Sequence, residues 1–149
     1  MGEMNTKKLK LDDQLCFPLY ACSREVIKAY KPYLDKLELT YTQYIVMIVL
    51  WSRKFATVKE LGKDLYLDSG TLTPLLKKLE AKGLLTRARS VKDERNLIVT
   101  ITEAGEKLRD KALGIPEKAA AGVPLPAEDA QVLYALLNKL LASFGEDNK

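Results

Sequence analysis

The 149-residue chain contains no histidine and only two cysteines, Cys16 and Cys22. Without histidine neither a Ser-His nor a Cys-His nucleophile can be built, and no imidazole can hold a metal. Two cysteines alone cannot complete a cysteine-rich zinc site. Glycine-rich phosphate loops of either standard spacing are missing as well. Neither an enzyme nor a cofactor is expected. The longest apolar run, Tyr44–Trp51, is too short to span a bilayer and suits a buried helix. No secretory pattern is visible, because Lys7, Lys8 and Lys10 are followed by acids rather than an apolar stretch. A cytoplasmic protein with no membrane partner is expected.

What is present fits a folded domain. A hydrophobic fraction of 47% with 30% charged residues excludes a disordered chain, and the length suits one domain with helical extensions. Thr57–Thr102 is the most informative stretch. Val58, Leu61 and Leu65 recur at helical spacing, with Lys59, Glu60, Lys63 and Asp64 turned outward. The punctuation Tyr66-Leu67-Asp68-Ser69-Gly70 follows. A second amphipathic pattern, Leu72, Leu75, Leu76 and Leu79, closes at Gly83 where a helix wants its C-cap. Leu84–Arg89 and Asn96–Thr102 then read as two strands joined by the charged hairpin Ser90–Arg95. Helix, turn, helix and a basic-tipped hairpin make the winged helix-turn-helix plan. The expected fold class is mostly α with a small β component.

Charge supports the same reading. Arg53–Arg95 holds eleven Lys/Arg against six Asp/Glu, or +5 of the net +4, so the remainder carries −1. Excess positive charge confined to the helix-turn-helix and wing is what a phosphate-binding surface requires.

Around this unit the chain reads as helical. Residues 1–11 are polar and expected to fray. Asp12 or Asp13 opens a first helix that Pro32 should end, starting near Phe17 or bending there because of Pro18. Leu34–Leu39 suits a short helical turn. Thr40 and Gln43 form a capping box for a buried helix through about Trp51. Glu103–Leu113 resumes a charged helix, and Gly114–Pro126, with three prolines, is expected to be a break or loop. In Ala127–Phe144 the residues Leu133, Leu136, Leu137, Leu140, Leu141 and Phe144 form one apolar stripe. That stripe either completes the monomer core or forms a dimer interface with the first helix; the dimer is the favoured reading. The chain divides into N-terminal dimerisation helices and a core helix (11–52), the winged helix-turn-helix (53–102) and C-terminal dimerisation helices (103–149).

A recognition helix offers its N-terminal residues to base edges and phosphates. Ser69, Thr71 and Thr73 lie there, with Lys77 and Lys78 a turn further on. The start of this helix is open, since Asp68-Ser69 and Thr73-Pro74 are both good openings. On the wing Arg95 is a minor-groove candidate oriented by Asp93, whereas generic phosphate attraction suits Arg87, Arg89 and Lys92 better than base reading. The expected partner is double-stranded DNA with a pseudo-palindromic site read by a homodimer.

Asp93-Glu94-Arg95 followed by Ile101-Thr102-Glu103-Ala104-Gly105 resembles the wing signature of the MarR regulators. Leu67–Glu80 is similar to the recognition helix of the organic-hydroperoxide-sensing branch of that family. Gln14-Leu15-Cys16-Phe17 looks like the branch's sensor motif, and Leu39–Tyr44 also matches. The resemblance covers roughly Leu11 to Gly105 and is architectural from about Pro116 onward. It implies a homodimeric repressor of a hydroperoxide resistance gene, with a single MarR-type domain spanning 1–149. It implies too that Cys16 is oxidised and that Tyr30 and Tyr41 hydrogen-bond its sulfur; Tyr20, one turn beyond Cys16, could join them.

Chemistry supports the sensor reading in part. A sensing thiol needs thiolate character, which a helix N-terminus and hydroxyl donors can supply without histidine. Against this, free cysteines are usually buried and inert. Cys22 stands six residues along the helix, about 9 Å of rise, too far for a disulfide with Cys16 without unwinding. Cys22 is therefore expected to be a small core residue. The chain looks like the one-cysteine type, in which a low-molecular-weight thiol or overoxidation completes the response. Two other readings stand beside it. One is a MarR-type repressor relieved by a small aromatic ligand, with Cys16 structural; the other is a winged-helix protein-interaction module. A thiol peroxidase ranks last.

Overall fold

The computed structural model describes residues 9–145. In chain order these form α1 (Cys16–Asp35), α2 (Tyr41–Arg53), β1 (Phe55–Thr57), α3 (Val58–Leu65), α4 (Ser69–Ala81), β2 (Leu85–Arg89), β3 (Leu97–Ile101), α5 (Glu103–Ala112), α6 (Ile115–Ala121) and α7 (Ala127–Gly145). A 3-10 turn at Leu11–Asp13 precedes α1. The fraying expected for residues 1–8 lies outside the described residues. Among the described residues no helix is long and apolar enough to cross a membrane.

Side-chain caps set most helix starts. Thr40 Oγ1 accepts from the Gln43 N–H at 3.2 Å, and Gln43 Oε1 accepts from the Thr40 N–H at 3.0 Å, so the expected capping box opens α2. Thr57 and Glu60 build a second one at the start of α3, with both bonds at 3.0 Å. Asp68 Oδ1 accepts from the Thr71 N–H at 2.7 Å. The recognition helix α4 therefore begins at Ser69 rather than at Thr73-Pro74. It ends with Gly83 at φ +76° and the Leu84 N–H returning to the Leu79 carbonyl at 3.1 Å, the Schellman closure that only a left-handed residue completes easily.

One sheet ties the wing to the helices. Its strand order is β1-β3-β2, with both pairings antiparallel: Ala56 opposite Val99, and Arg87 opposite Val99 from the other side. Apolar faces of α2, α3, α4 and the sheet meet in one core that fully buries Val46, Met47, Leu50, Leu61, Leu79 and Val99. Each such aliphatic side chain contributes about 1.5–3 kcal/mol relative to exposure. This core fixes where α4 and the wing point.

Four expectations are corrected, and one strand was not foreseen. Pro32 does not end the first helix, which runs on to Asp35; the proline lies on an exposed face near the end, where solvent can take the carbonyl it frees. Asp12 and Asp13 do not open the first helix but lie in the 3-10 turn before it; α1 begins at Cys16, near Phe17 as one reading had it, because Pro18 is its third residue, among the N–H positions that have no intrahelical acceptor anyway. The stretch Gly114–Pro126 is not simply a break, because α6 forms within it, opened by Gly114 at φ +85° with Pro116 in its first turn. Strand β1 has no counterpart in the sequence reading; three residues are too few to show a period. Finally, Cys22 is exposed rather than in the core. Helix α1 buries only Leu34, near its C-terminal end; among the described residues its N-terminal half is left unburied.

The last helix is the outlier. No residue of α7 is buried, and Leu133, Leu136, Leu140 and Leu141 of its stripe are exposed. The monomer core is complete without it.

Candidate nucleic-acid interface and thiol site

Two of the sequence candidates come from separate elements yet share one groove. Ser69 at the start of α4 and Arg95 on the wing line an open depression of about 440 Å³, with Lys59 of α3 beside them and Leu72 and Leu97 among its apolar walls. Thr71 and Thr73 are exposed on the same opening turns of α4. Lys78 lies elsewhere, lining a second depression with Lys82, Asp35 and Glu38 at the α1–α2 turn. Lys77 is exposed. Lys59 was not among the sequence candidates. Its outward position on α3 was visible, but only the fold brings it beside Arg95.

Asp68 holds the front of α4 as an anion. The Thr71 backbone N–H, followed by the Thr71 hydroxyl, keeps its carboxyl below the usual aspartate range. Pro74 lacks the N–H that would bond the Gly70 carbonyl, so this polar group stays available on an exposed turn.

The wing tip is ordered by its own polar atoms. Ser90 N–H donates to the Asn96 carbonyl at 2.7 Å, and Ser90 Oγ accepts from the Lys92 N–H at 3.2 Å. Asp93 Oδ1 accepts from the Arg95 backbone N–H at 3.0 Å. Asp93 thus shapes the turn that presents Arg95 rather than gripping its guanidinium. Arg89 is engaged as well, donating from Nη1 to the Glu94 carbonyl at 2.9 Å. Arg87 departs further from the generic phosphate role expected of it: it pairs with Glu80 at 3.1 Å with its side chain only 19% exposed.

The root of the wing explains a motif. Thr102 Oγ1 accepts from the Gly105 N–H at 3.1 Å and donates to the Gly83 carbonyl at 2.6 Å, capping α5 while tying it to the end of α4. A Cβ on Gly105 would overlap the Leu84 carbonyl oxygen and stand 2.8 Å from Ile101 Cγ1. A Thr-x-x-Gly spacing is what this junction needs.

Cys16 is the first residue of α1 and is exposed. Tyr20, one turn on, is also exposed and stacks beneath Arg24, whose guanidinium carbon lies 5.6 Å from the ring centroid. Tyr30 and Tyr41 meet edge-to-face with centroids 5.2 Å apart. Tyr44, absent from the sequence candidates, joins them at 5.9 Å from Tyr30, and Trp51 stands edge-on to Tyr44 at 6.4 Å. Burial, then the neighbouring Tyr41, raises the Tyr30 hydroxyl above its ordinary value; burial and then Tyr30 do the same to Tyr44. These phenols stay protonated and able to donate. Cys16 and Tyr30 lie fourteen residues apart on one helix, about 21 Å of rise, so the chain does not bring its thiol to its own Tyr30. Among the described residues no cluster of three or more metal-ligating side chains occurs.

This geometry agrees with what the chain resembles. Residues 28–112 match the family described as transcriptional regulator SarA/Rot. The organic hydroperoxide resistance transcriptional regulator of Bacillus subtilis is 48% identical over 140 residues, covering 94% of this chain and 95% of that protein. The chain belongs to the SarA/Rot and MarR-type winged-helix transcriptional regulators. Among solved structures of such regulators, reduced AbfR of Staphylococcus epidermidis bound to DNA superposes with a TM-score of 0.74 at 33% identity, covering 95% of this chain and 99% of that one. Overoxidised AbfR bound to DNA gives 0.73 at 34% identity, with 93% and 98% covered. The regulator's fold and relatives are those of a transcription factor, not an enzyme.

Proposed function

We propose that this regulator is a homodimeric repressor of double-stranded DNA that senses organic hydroperoxides at Cys16 and then releases its operator. The observation that carries the reading is the exposed thiol at the first residue of α1, with Tyr30 fourteen residues along the same helix and packed on Tyr41 of α2. A second copy completes such a site. Cys16, Tyr20, Ser23, Ile27 and Tyr30 follow one another at steps of four, three, four and three, the seam spacing of paired helices. Cys16 and Tyr30 stand seven residues either side of Ser23, so two antiparallel copies of α1 crossing there put each thiol against the other's tyrosine. The exposed stripe on α7 supplies further apolar area for the same dimer.

In the reduced state the Ser69, Thr71 and Thr73 face of α4 enters the major groove, and Lys77 meets phosphates, whereas Lys78 stands apart at the α1–α2 turn. Arg95, set by Asp93, enters the minor groove from the wing. Peroxide chemistry then follows from the thiol. The Cys16 sulfur attacks one peroxide oxygen, the O–O bond breaks, and the products are a sulfenic acid and the alcohol, which takes the thiol proton. A low-molecular-weight thiol next condenses with the sulfenic acid, giving a mixed disulfide and water. The bulk of that adduct at a packed interface separates the recognition helices from half-site spacing. AbfR in its overoxidised form is found on DNA, which favours the mixed disulfide over overoxidation as the releasing state.

The test is operator retention by the purified protein with and without one equivalent of cumene hydroperoxide and a small thiol, beside Cys16→Ser. Release by the wild type alone is expected. Retention in both would discard the redox reading and leave a repressor relieved by an aromatic ligand.

A further inference from the structure

Helix α2 touches the tyrosine cluster with its first turn and grips the root of the wing with its last. Tyr41 and Tyr44 pack on Tyr30 of α1, and Trp51, two turns beyond Tyr44 on the same face, stands edge-on to it at 6.4 Å. The Trp51 indole N–H donates to the Gly105 carbonyl at 2.8 Å. Two more bonds close the same junction. The Lys54 carbonyl accepts from the Ile101 N–H at 2.9 Å, and Lys54 Nζ pairs with Glu106 Oε1 at 2.9 Å. Lys54 is held at φ +72°, a left-handed conformation that a side chain rarely adopts without such restraint. Gly105 is buried with no room for a Cβ, so the junction cannot slip sideways. The end of β3 and the start of α5 therefore cannot move relative to α2 without breaking these contacts.

We propose that α2 is the strut that carries the state of the tyrosine cluster to the wing, with Trp51 as the positioning residue that couples the two. This rests on the thiol-sensor reading above. Displacement of Tyr30 and Tyr41 by an adduct on the facing sulfur shifts α2, and the Trp51–Gly105 bond makes the wing follow. By reciprocity, operator binding is felt at the cluster.

Trp51→Phe keeps a ring against Tyr44 and removes only the indole N–H. The measurement is operator affinity before and after cumene hydroperoxide with a small thiol, for wild type and variant. The reduced variant is expected to bind within about two-fold of wild type, while the ratio between its two affinities shrinks by at least about five-fold, the lower end of ordinary allosteric coupling. A variant that binds weakly when reduced yet keeps the wild-type ratio would reduce Trp51 to a structural role and overturn the proposal. So would a variant indistinguishable from wild type. A wild type that ignores peroxide would instead refute the sensor reading, and the strut with it. Should the variant not fold by circular dichroism, the wild type decides, since Trp51 is its sole tryptophan. Its emission must then shift on peroxide treatment and stay constant in Cys16→Ser; no shift in the wild type overturns the proposal.

Discussion

Arg87 is bonded to Glu80 three times: its backbone N–H reaches Oε2 at 2.9 Å, while Nε and Nη2 reach Oε1 at 3.3 and 3.1 Å. One residue lies on the recognition helix and the other on the first wing strand. The pair makes helix and wing one body, so a displacement of the wing root is passed to α4. An arginine in a basic segment thus faces a carboxylate and positions the strand against the helix.

The Arg87 side chain, then its backbone N–H, holds the Glu80 carboxyl below the ordinary glutamate value of 4.5. Its folded value is depressed, so its stabilisation is fully present above that ordinary value and lost as pH falls through the folded one. Glu80→Gln should therefore be less stable than wild type at neutral pH, with the gap closing as pH drops below about 4.5. Thermal melts of both proteins between neutral and acid pH check this. A gap that widens in acid would remove the pair from the account.

Gly105 has the least room of any described glycine. Gly105→Ala should cost about 1–3 kcal/mol by overpacking. It should also weaken operator binding, because the displaced group is the carbonyl of Leu84 at the entry to β2. Calorimetric melting and an operator titration measure the two effects; an unchanged midpoint would contradict the packing described for this junction.

Local chemistry made much of this legible in the sequence. The Thr40–Gln43 box, the Gly83 closure and the leucine spacing of α4 each depend on residues within a turn or two, so pattern alone locates them. Strand β1 was not legible, because Phe55–Thr57 is defined by pairing with Ile98–Thr100, some forty residues away. The same holds for the Trp51–Gly105 bond and for the Lys59–Arg95 groove, where the partners are distant in sequence. Arg87 misled for a related reason: composition registers a positive charge, whereas only the fold supplies the carboxylate beside it. The thiol candidates Cys16 and Tyr30 are legible as residue types, but they stand fourteen residues apart on one helix, so no contact between them within the chain was there to be read.

Arg95 presents its side chain at the wing tip with no ion pair among the described residues, while Asp93 fixes its backbone. Arg95→Ala should weaken operator binding, reduce the salt slope by about one, and relax A·T preference at the site edges. Asp93→Ala should weaken binding too, through a looser turn, without changing the slope, since no cation is lost. Titrations at several salt concentrations separate the two; equal slopes for wild type and Arg95→Ala would take Arg95 off the DNA.

The stripe on α7 tests the dimer without touching the thiol or the wing. Leu136 is 58% and Leu140 39% exposed, one turn apart on a helix with no buried residue among those described. Apolar area of this kind is costly to leave in water, and removing it from solvent gains about 25 cal/mol per Å². Leu136→Glu with Leu140→Glu puts two carboxylates where a second copy would lie, and each dimer would then carry four across its two-fold. The expected result is a monomer by sedimentation at micromolar concentration, with circular dichroism unchanged because the monomer core does not include α7. Operator affinity should fall sharply, since a single half-site loses the gain from binding the other half on the same molecule. A double variant that stays dimeric and binds as before would mean that α7 faces solvent, and that the two-fold pairing of α1 must hold the dimer by itself.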